Sequence, residues 1–407
     1  MKNYWAAKAY ILLNLTILAG CTTGGGLPVR SAEEKLSENL FASAEAPQAV
    51  ESTPFVVVMP AGDHNEDETS FTYPAEGVGP QTYPQGINPL SGLPPASQPY
   101  LNRRPVIVKV ENMPRERSRP QWGLPLADLV FEYFIEYGDT RFAAVFYGQQ
   151  PGQVGPIRSA RHVDMQLIQM YRSFFVFGGA YPDLYDEMVE SDFGDRIIRE
   201  GPNTSPALFR YEPDKKNELM VDLTLLDKVY EIYQMDNSRQ PLQGLHFNPV
   251  LPDGGQSAAQ VFARFSGAVY NRWDYDASSG QYLRFADAQN DVNNTNEVYA
   301  PLIDELSGNQ IGVENVVVLL TRYYQLNGAE VYDIPLQGNG PAYIARDGKI
   351  FAARWERVDQ EMPLRLSFDN GEPFPLKPGR TWFELMGESS IQTTVGEDGW
   401  RFVFRLP

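Results

Sequence analysis

LVFEYFIEYGDTRFAAVF, residues 129–146, carries the first decision about the fold. Its two ends, Leu129–Ile135 and Arg141–Phe146, are rich in aromatic and β-branched residues. The EYGD segment between them, residues 136–139, has the glycine and aspartate of a hairpin loop. Working outward, PVIVKV (105–110) reads as another strand, entered through the turn-rich NPLSGLP (88–94). From Arg158 to Arg172 the apolar residues Val163, Leu167, Ile168 and Tyr171 recur at helical spacing. FFVF (174–177) is a short buried strand ending at Gly178-Gly179, and Pro182–Glu190 and Leu223–Tyr233 read as helices. Residues 87–240 are thus expected to form a sheet with helices packed on it.

Past Gln240 the pattern changes to short alternating runs between turns. Examples are Val261–Phe265, Tyr270–Tyr275, Tyr282–Phe285, Val313–Leu320, Ala342–Ala345, Ile350–Trp355, Leu364–Phe368, Thr381–Leu385 and Arg401–Phe404. Asp276-Ala-Ser-Ser-Gly280 and the Asp-Gly or Asn-Gly pairs within 346–348, 369–371 and 397–399 supply hairpin signals. The expected class is α+β: an N-terminal α/β sheet-and-helix domain, then a mainly antiparallel β domain over residues 245–407. About 320 residues with abundant Tyr, Phe and Trp suffice for two packed cores.

The N-terminus gives the address. Lys2 and Lys8 precede a short apolar stretch, Ala9–Gly20, too short for a membrane span of about 20 residues and suited to a secretory signal over residues 1–20. It ends in Leu18-Ala19-Gly20-Cys21, a bacterial lipobox, and Cys21 is the one cysteine of the chain. Its thiol is the expected lipidation site, carrying palmitate-type acyl chains and holding the protein to a cell membrane on its extracytoplasmic face. A chain with no other thiol suits an exported protein without disulfides. Residues 21–86 carry ten acids against two bases (10 − 2 = 8, hence −8) and few large apolar side chains, the composition of a disordered acidic tether. The apolar exception, FVVVM (55–59), is expected to dock as an edge strand.

A series of short motifs in a fixed order carries a resemblance. They are NPLSGLP (88–94), RRPV (103–106), EN (111–112), PQWGL (120–124), ADLVFE (127–132), TRF (140–142), VGPIRSAR (154–161) and FGG (177–179). Looser matches follow at 275–276, 280–284, 315–318 and 379–382. The chain resembles the YerB-like bacterial lipoprotein family over roughly residues 86–400. The resemblance implies a lipid-anchored extracytoplasmic protein in two parts, with no established reaction. Where relatives carry a Pro-His-Asn stretch before the helix near residue 225, this chain has Lys216-Asn217-Glu218-Leu219.

Charge points to a site. The chain is −18 overall, yet residues 97–175 hold ten bases, nine of them arginine, against seven acids (10 − 7 = +3). The guanidinium fork binds carboxylates and phosphates through paired hydrogen bonds. A helix beginning near Ser159 would put Arg158 and Arg161 on one face beside its unpaired N–H groups. Arg141, Arg158, Ser159 and Arg161, with Glu132, are the ligand- or anion-binding candidates. The competing reading pairs Arg158 or Arg161 with Glu132 or Glu136 to tie helix to sheet.

Other chemistry finds little footing. His64, His162 and His246 lack metal-ligand spacing, so no metal site is expected, and no cofactor motif occurs. The acids between Asp183 and Asp195 lack a calcium-loop pattern. Glu132 and Glu136 on one strand face would stand roughly 13 Å apart, too far for a glycosidase pair. No G-x-S-x-G elbow surrounds Ser159. A pI near 4.7 argues against nucleic acid as a partner. Catalytic residues thus stay unassigned. The expected role is non-enzymatic, a binding or scaffold protein meeting a cell-wall polymer or envelope protein. The alternative is an envelope hydrolase or transferase acting on a phosphate- or carboxylate-bearing wall polymer.

Overall fold

The computed structural model describes residues 56–57, 71–211, 218–326 and 331–406. Cys21, the signal segment and most of the tether lie outside the described residues. Val56–Val57 pairs antiparallel with Phe71–Thr72, an edge pairing of the kind expected for FVVVM. The tether reading ran to residue 86, but residues 71–86 pack onto the fold. Tyr73 and Val78 are buried, and Val78 bridges Phe247. Average composition hid these apolar side chains among acidic neighbours.

The chain builds an α+β fold from many strands and few helices. In order they are β1 (Val106–Glu111), β2 (Leu129–Phe134), β3 (Thr140–Phe146), α1 (His162–Tyr171), β4 (Phe174–Val176), α2 (Pro182–Glu190), β5 (Ile197–Ile198) and α3 (Leu226–Tyr233). Then come β6 (Gln256–Ser257), β7 (Gln260–Arg264), β8 (Tyr270–Asp276), β9 (Gln281–Asp287), β10 (Asn315–Thr321), β11 (Gly338–Arg346), β12 (Lys349–Arg357), β13 (Arg365–Ser367), β14 (Thr381–Gly387), β15 (Ile391–Val395) and β16 (Gly399–Val403). The β2–β3 hairpin has the register Tyr133↔Arg141, and β11–β12 turns at Asp347-Gly348, both at positive φ as a tight hairpin demands.

Among the described residues, eleven strands form one sheet in the order β6-β12-β11-β10-β14-β2-β3-β1-β4-β5, with β13 beside β12. The strands past residue 245 therefore do not all form a separate β unit. Thr381–Leu385 of β14 pairs in parallel with Leu129–Tyr133 of β2, so one sheet runs through both halves of the chain. The remaining C-terminal strands form a seven-stranded sheet around β9-β8-β7-β16-β15.

Strand alternation sorts the layers. Phe131, Tyr133, Ala143 and Val145 face a core filled by Val163, Leu167 and Tyr171 of α1 and Leu184 and Met188 of α2. Val130, Phe142 and Ala144 face the opposite core, with α3 and with Val261, Trp273 and Tyr282 of the second sheet. The large sheet is thus covered by helices α1 and α2 on one side, and by α3 and the second sheet on the other.

Candidate functional site

The arginine motif is not the start of a helix. Ile157–Arg161 is an extended strap, and α1 begins at His162 with Arg161 as its N-cap residue. Tertiary hydrogen bonds decide this. Arg158 N–H donates to the Lys109 carbonyl (2.9 Å), Glu111 N–H to Pro156 (2.9 Å), Ile157 N–H to Leu219 (2.7 Å) and Ala160 N–H to Gly179 (2.7 Å). The Arg161 N–H is taken by the Asp164 carboxylate at 2.6 Å, which caps the helix start. Arg158 and Arg161 therefore do not share a helix face, and the helix N-terminus is not the source of an anion site.

The strap pairs along the end of β1, where Ile157 bridges Val110, and meets the face of the sheet that α1 covers at Arg141, which donates to the Ser159 carbonyl. Lys109, Glu111, Tyr133 and Arg141 lie there in cross-strand register, Glu111 opposite Arg141 and Tyr133 opposite Arg141 on its other side. Lys109 and Asp164 are wholly buried and paired at 2.9 Å. The ammonium of Lys109 lies 4.0 Å from the centre of the Tyr133 ring, and the Tyr133 hydroxyl donates to Asp164. Burial pushes the Lys109 ammonium down to about 7, against the pull of Asp164.

The three arginine candidates differ in what holds them. Arg161 Nε donates to Glu136 at 2.7 Å, and its Nη1 to the Ala160 carbonyl at 2.7 Å. Arg158 grips Glu111 through Nε, and among the described residues no hydrogen bond engages its Nη1 or Nη2. Arg141 donates Nη1 to the Ser159 carbonyl at 2.7 Å and has no carboxylate within ion-pair distance among the described residues. Burial, and then the positive charge of Arg158, push Arg141 down to about 10. Burial raises the Glu111 carboxyl, against Arg158.

Glu132 stands elsewhere, on the opposite face of β2. It is fully buried against the second sheet, where Arg284 Nη2 donates to it at 2.5 Å and Thr140 at 2.7 Å. The same guanidinium donates to Glu384 at 3.2 Å and lies 4.4 Å from the Trp382 ring centre and 4.9 Å from that of Trp273. Burial, and then the Glu132 charge, push the Glu384 carboxyl up to about 8. Glu136 lies past the end of β2, which stops at Phe134, and so it turns to the helix side and meets Arg161.

One recess opens beside the strap. Ile157, Arg158, Ser159, Gly178, Arg210, Glu218 and Leu219 line a volume of about 90 Å³. Arg210 is a residue the sequence reading missed, and it pairs with Glu200 (2.6 Å) and Glu218 (3.1 Å). The side chains of Arg158 and Arg210 remain 36% and 43% exposed. His162 is held by the Tyr181 hydroxyl, and His246 by the Gly79 carbonyl. Among the described residues no group of His, Cys, Asp or Glu is arranged to hold a metal ion.

Comparison with known proteins assigns the family. Residues 90–236 match the N-terminal domain, and residues 261–383 the C-terminal domain, of a protein family of unknown function, DUF3048. The chain belongs to this DUF3048 family. It is 26% identical over 301 residues, covering 73% of this chain and 85% of the relative, to a Bacillus subtilis (strain 168) protein described as "Putative lipoprotein YerB". The crystal structure of YerB from Bacillus subtilis superposes with a TM-score of 0.63 at 24% identity, over 74% of this chain and 96% of that one, a likeness of fold. The boundary between the two matched domains falls between α3 and β7.

Proposed function

We propose that this DUF3048 member is a lipid-anchored, extracytoplasmic cell-envelope protein that binds a small anionic group, a phosphate or carboxylate, in the recess between Arg158 and Arg210. The anchor reading rests on the lipobox around Cys21 and on the lipoprotein description of its Bacillus relative. The observation that carries the binding reading is the unspent fork of Arg158. Among the described residues its Nη1 and Nη2 make no hydrogen bond, while the side chain lines an open recess. A charge-assisted pair of hydrogen bonds is what such a fork offers an oxyanion. Arg141 lies behind the strap and raises the local potential, and Ser159 adds a hydroxyl to the rim. The volume suits one anionic group rather than a whole polymer unit.

Hydrolase or transferase activity on a wall polymer is the rival reading. The lysine with the most useful acidity, Lys109, is sealed beneath Tyr133 and Asp164, where no substrate atom reaches it.

Titration calorimetry of the full chain with inorganic phosphate tests the proposal. Wild type is expected to bind, and Arg158→Ala combined with Arg210→Ala to lose at least about tenfold in affinity, the scale of one charge-assisted hydrogen bond. Equal binding by the folded double variant would remove the recess from the account. Release of soluble fragments from isolated cell wall, abolished by the same pair, would favour the enzymatic rival. Radiolabelled palmitate incorporated by wild type and lost in Cys21→Ala checks the anchor.

A further inference from the structure

The large sheet ends at β5, and the outer side of that strand is open. Ile198 uses its backbone toward β4, its carbonyl accepting from Phe177 N–H at 3.1 Å. In a parallel ladder alternate residues turn their N–H and C=O groups to opposite sides, so those of Ile197 and Arg199 point away from the sheet. No residue among those described hydrogen-bonds to them there. Such an edge is a template for one more strand.

A groove of about 430 Å³ follows this edge. Tyr185 of α2 lines one flank, and Val229 and Tyr233 of α3, with Met235, line the other. The two helices cover opposite faces of the sheet, so the groove wraps around its rim. Ile198 packs into the core on the α3 side, and Ile197 against the core on the α2 side. An incoming strand in register would alternate its side chains in the same way, toward Tyr185 and toward Val229 and Tyr233. Tyr233 and the neighbouring Ile232 are 48% and 55% exposed, a large apolar exposure for one helix turn.

Charge narrows the occupant. Of the charged groups lining the groove, Glu200 is bound to Arg210, and Asp195 lies 3.9 Å from Arg196. Arg199 is exposed, its guanidinium 4.3 Å from the Tyr185 ring centre, and among the described residues it has no carboxylate partner. We propose that β5 and this groove receive an extended segment of a partner protein, with apolar side chains at alternating positions and a carboxylate facing Arg199. Backbone pairing along the edge supplies the binding, and the groove and Arg199 the selectivity. This site shares no lining residue with the anion recess, touches it only through the Glu200–Arg210 pair, and does not rest on anion binding there.

The test uses the full chain and the peptide acetyl-Thr-Val-Asp-Val-Thr-Val-amide, fluorescently labelled for anisotropy. The peptide is expected to bind and to slow amide exchange over residues 197–201. A version N-methylated at alternate amides, which cannot pair along the edge, is expected not to bind. Arg199→Glu should weaken binding about fivefold, and a peptide with lysine in place of aspartate should recover it. Tyr233→Ala should weaken both peptides alike at unchanged melting temperature. Equal binding by the N-methylated peptide, or no protection of residues 197–201 at millimolar peptide, would overturn the proposal. So would a dimer of the chain formed through this edge that excludes the peptide.

Discussion

Two arginine–glutamate clusters sit on opposite faces of the same sheet, and they differ in what surrounds them. On one face Arg284 lies between Glu132 and Glu384, all three at most 1% exposed, with two tryptophan rings against the guanidinium. On the other, Arg158 reaches Glu111 through a single nitrogen and keeps over a third of its side chain in solvent. The first cluster locks two sheets together. The second has donors to spare. Identical residue types thus give a brace where water is excluded and a candidate binding edge where it is not, because burial makes every unpaired donor costly while exposure leaves it available.

The largest expected effect lies in the brace. Arg284→Met leaves Glu132 and Glu384 buried together without a cation and should cost about 3–5 kcal/mol in chemical denaturation. Adding Glu132→Gln and Glu384→Gln should recover most of that loss. No recovery would mean that packing, not charge, holds the sheets.

Next is a pH signature that separates the two faces. Glu384 titrates near 8 in the folded protein against a reference of 4.5, so the folded state holds the extra proton between those values. Stability should therefore fall as pH rises through about 4.5 to 8, and Glu384→Gln should flatten that fall. Lys109 on the other face titrates near 7 against 10.5, so the unfolded state holds the extra proton there. Its contribution should rise between about pH 7 and 10.5, and be absent in Lys109→Met. A stability minimum near pH 7 to 8 in wild type is the combined expectation, read from melts across the range.

The smallest effect belongs to the strap. Arg158→Ala should cost about 1–3 kcal/mol, less than the brace because Arg158 itself is over a third exposed yet not negligible because Glu111 is buried, and it should weaken anion binding. A loss above 3 kcal/mol would place Arg158 with the brace.

How much of this was legible in the sequence follows from the range of each interaction. The strands around residues 105–146 and the hairpins of the second half announce themselves through local alternation and turn residues, and the structure has them within a few positions. The helix start was misplaced by about four residues because Arg158 and Ala160 spend their N–H groups on Lys109 and Gly179, partners that local periodicity does not reveal. The pairing of β14 with β2 joins segments about 250 residues apart, and Arg284 meets Glu132 across 152 positions, so neither the shared sheet nor the brace has a local signal. Arg210 escaped notice for the same reason. The fold disperses the arginines of residues 97–175: Arg161 pairs with Glu136, Arg115 and Arg119 with Asp287, and Arg158 lines the recess, while the brace arginine, Arg284, lies outside that segment.

The most direct test of the central claim is a crystal structure of the full chain with selenate, read by its anomalous scattering. The account predicts a selenium peak in the recess, with oxygens about 3 Å from the terminal nitrogens of Arg158. An empty recess, with both terminal nitrogens of Arg158 closed onto Glu111, would contradict it.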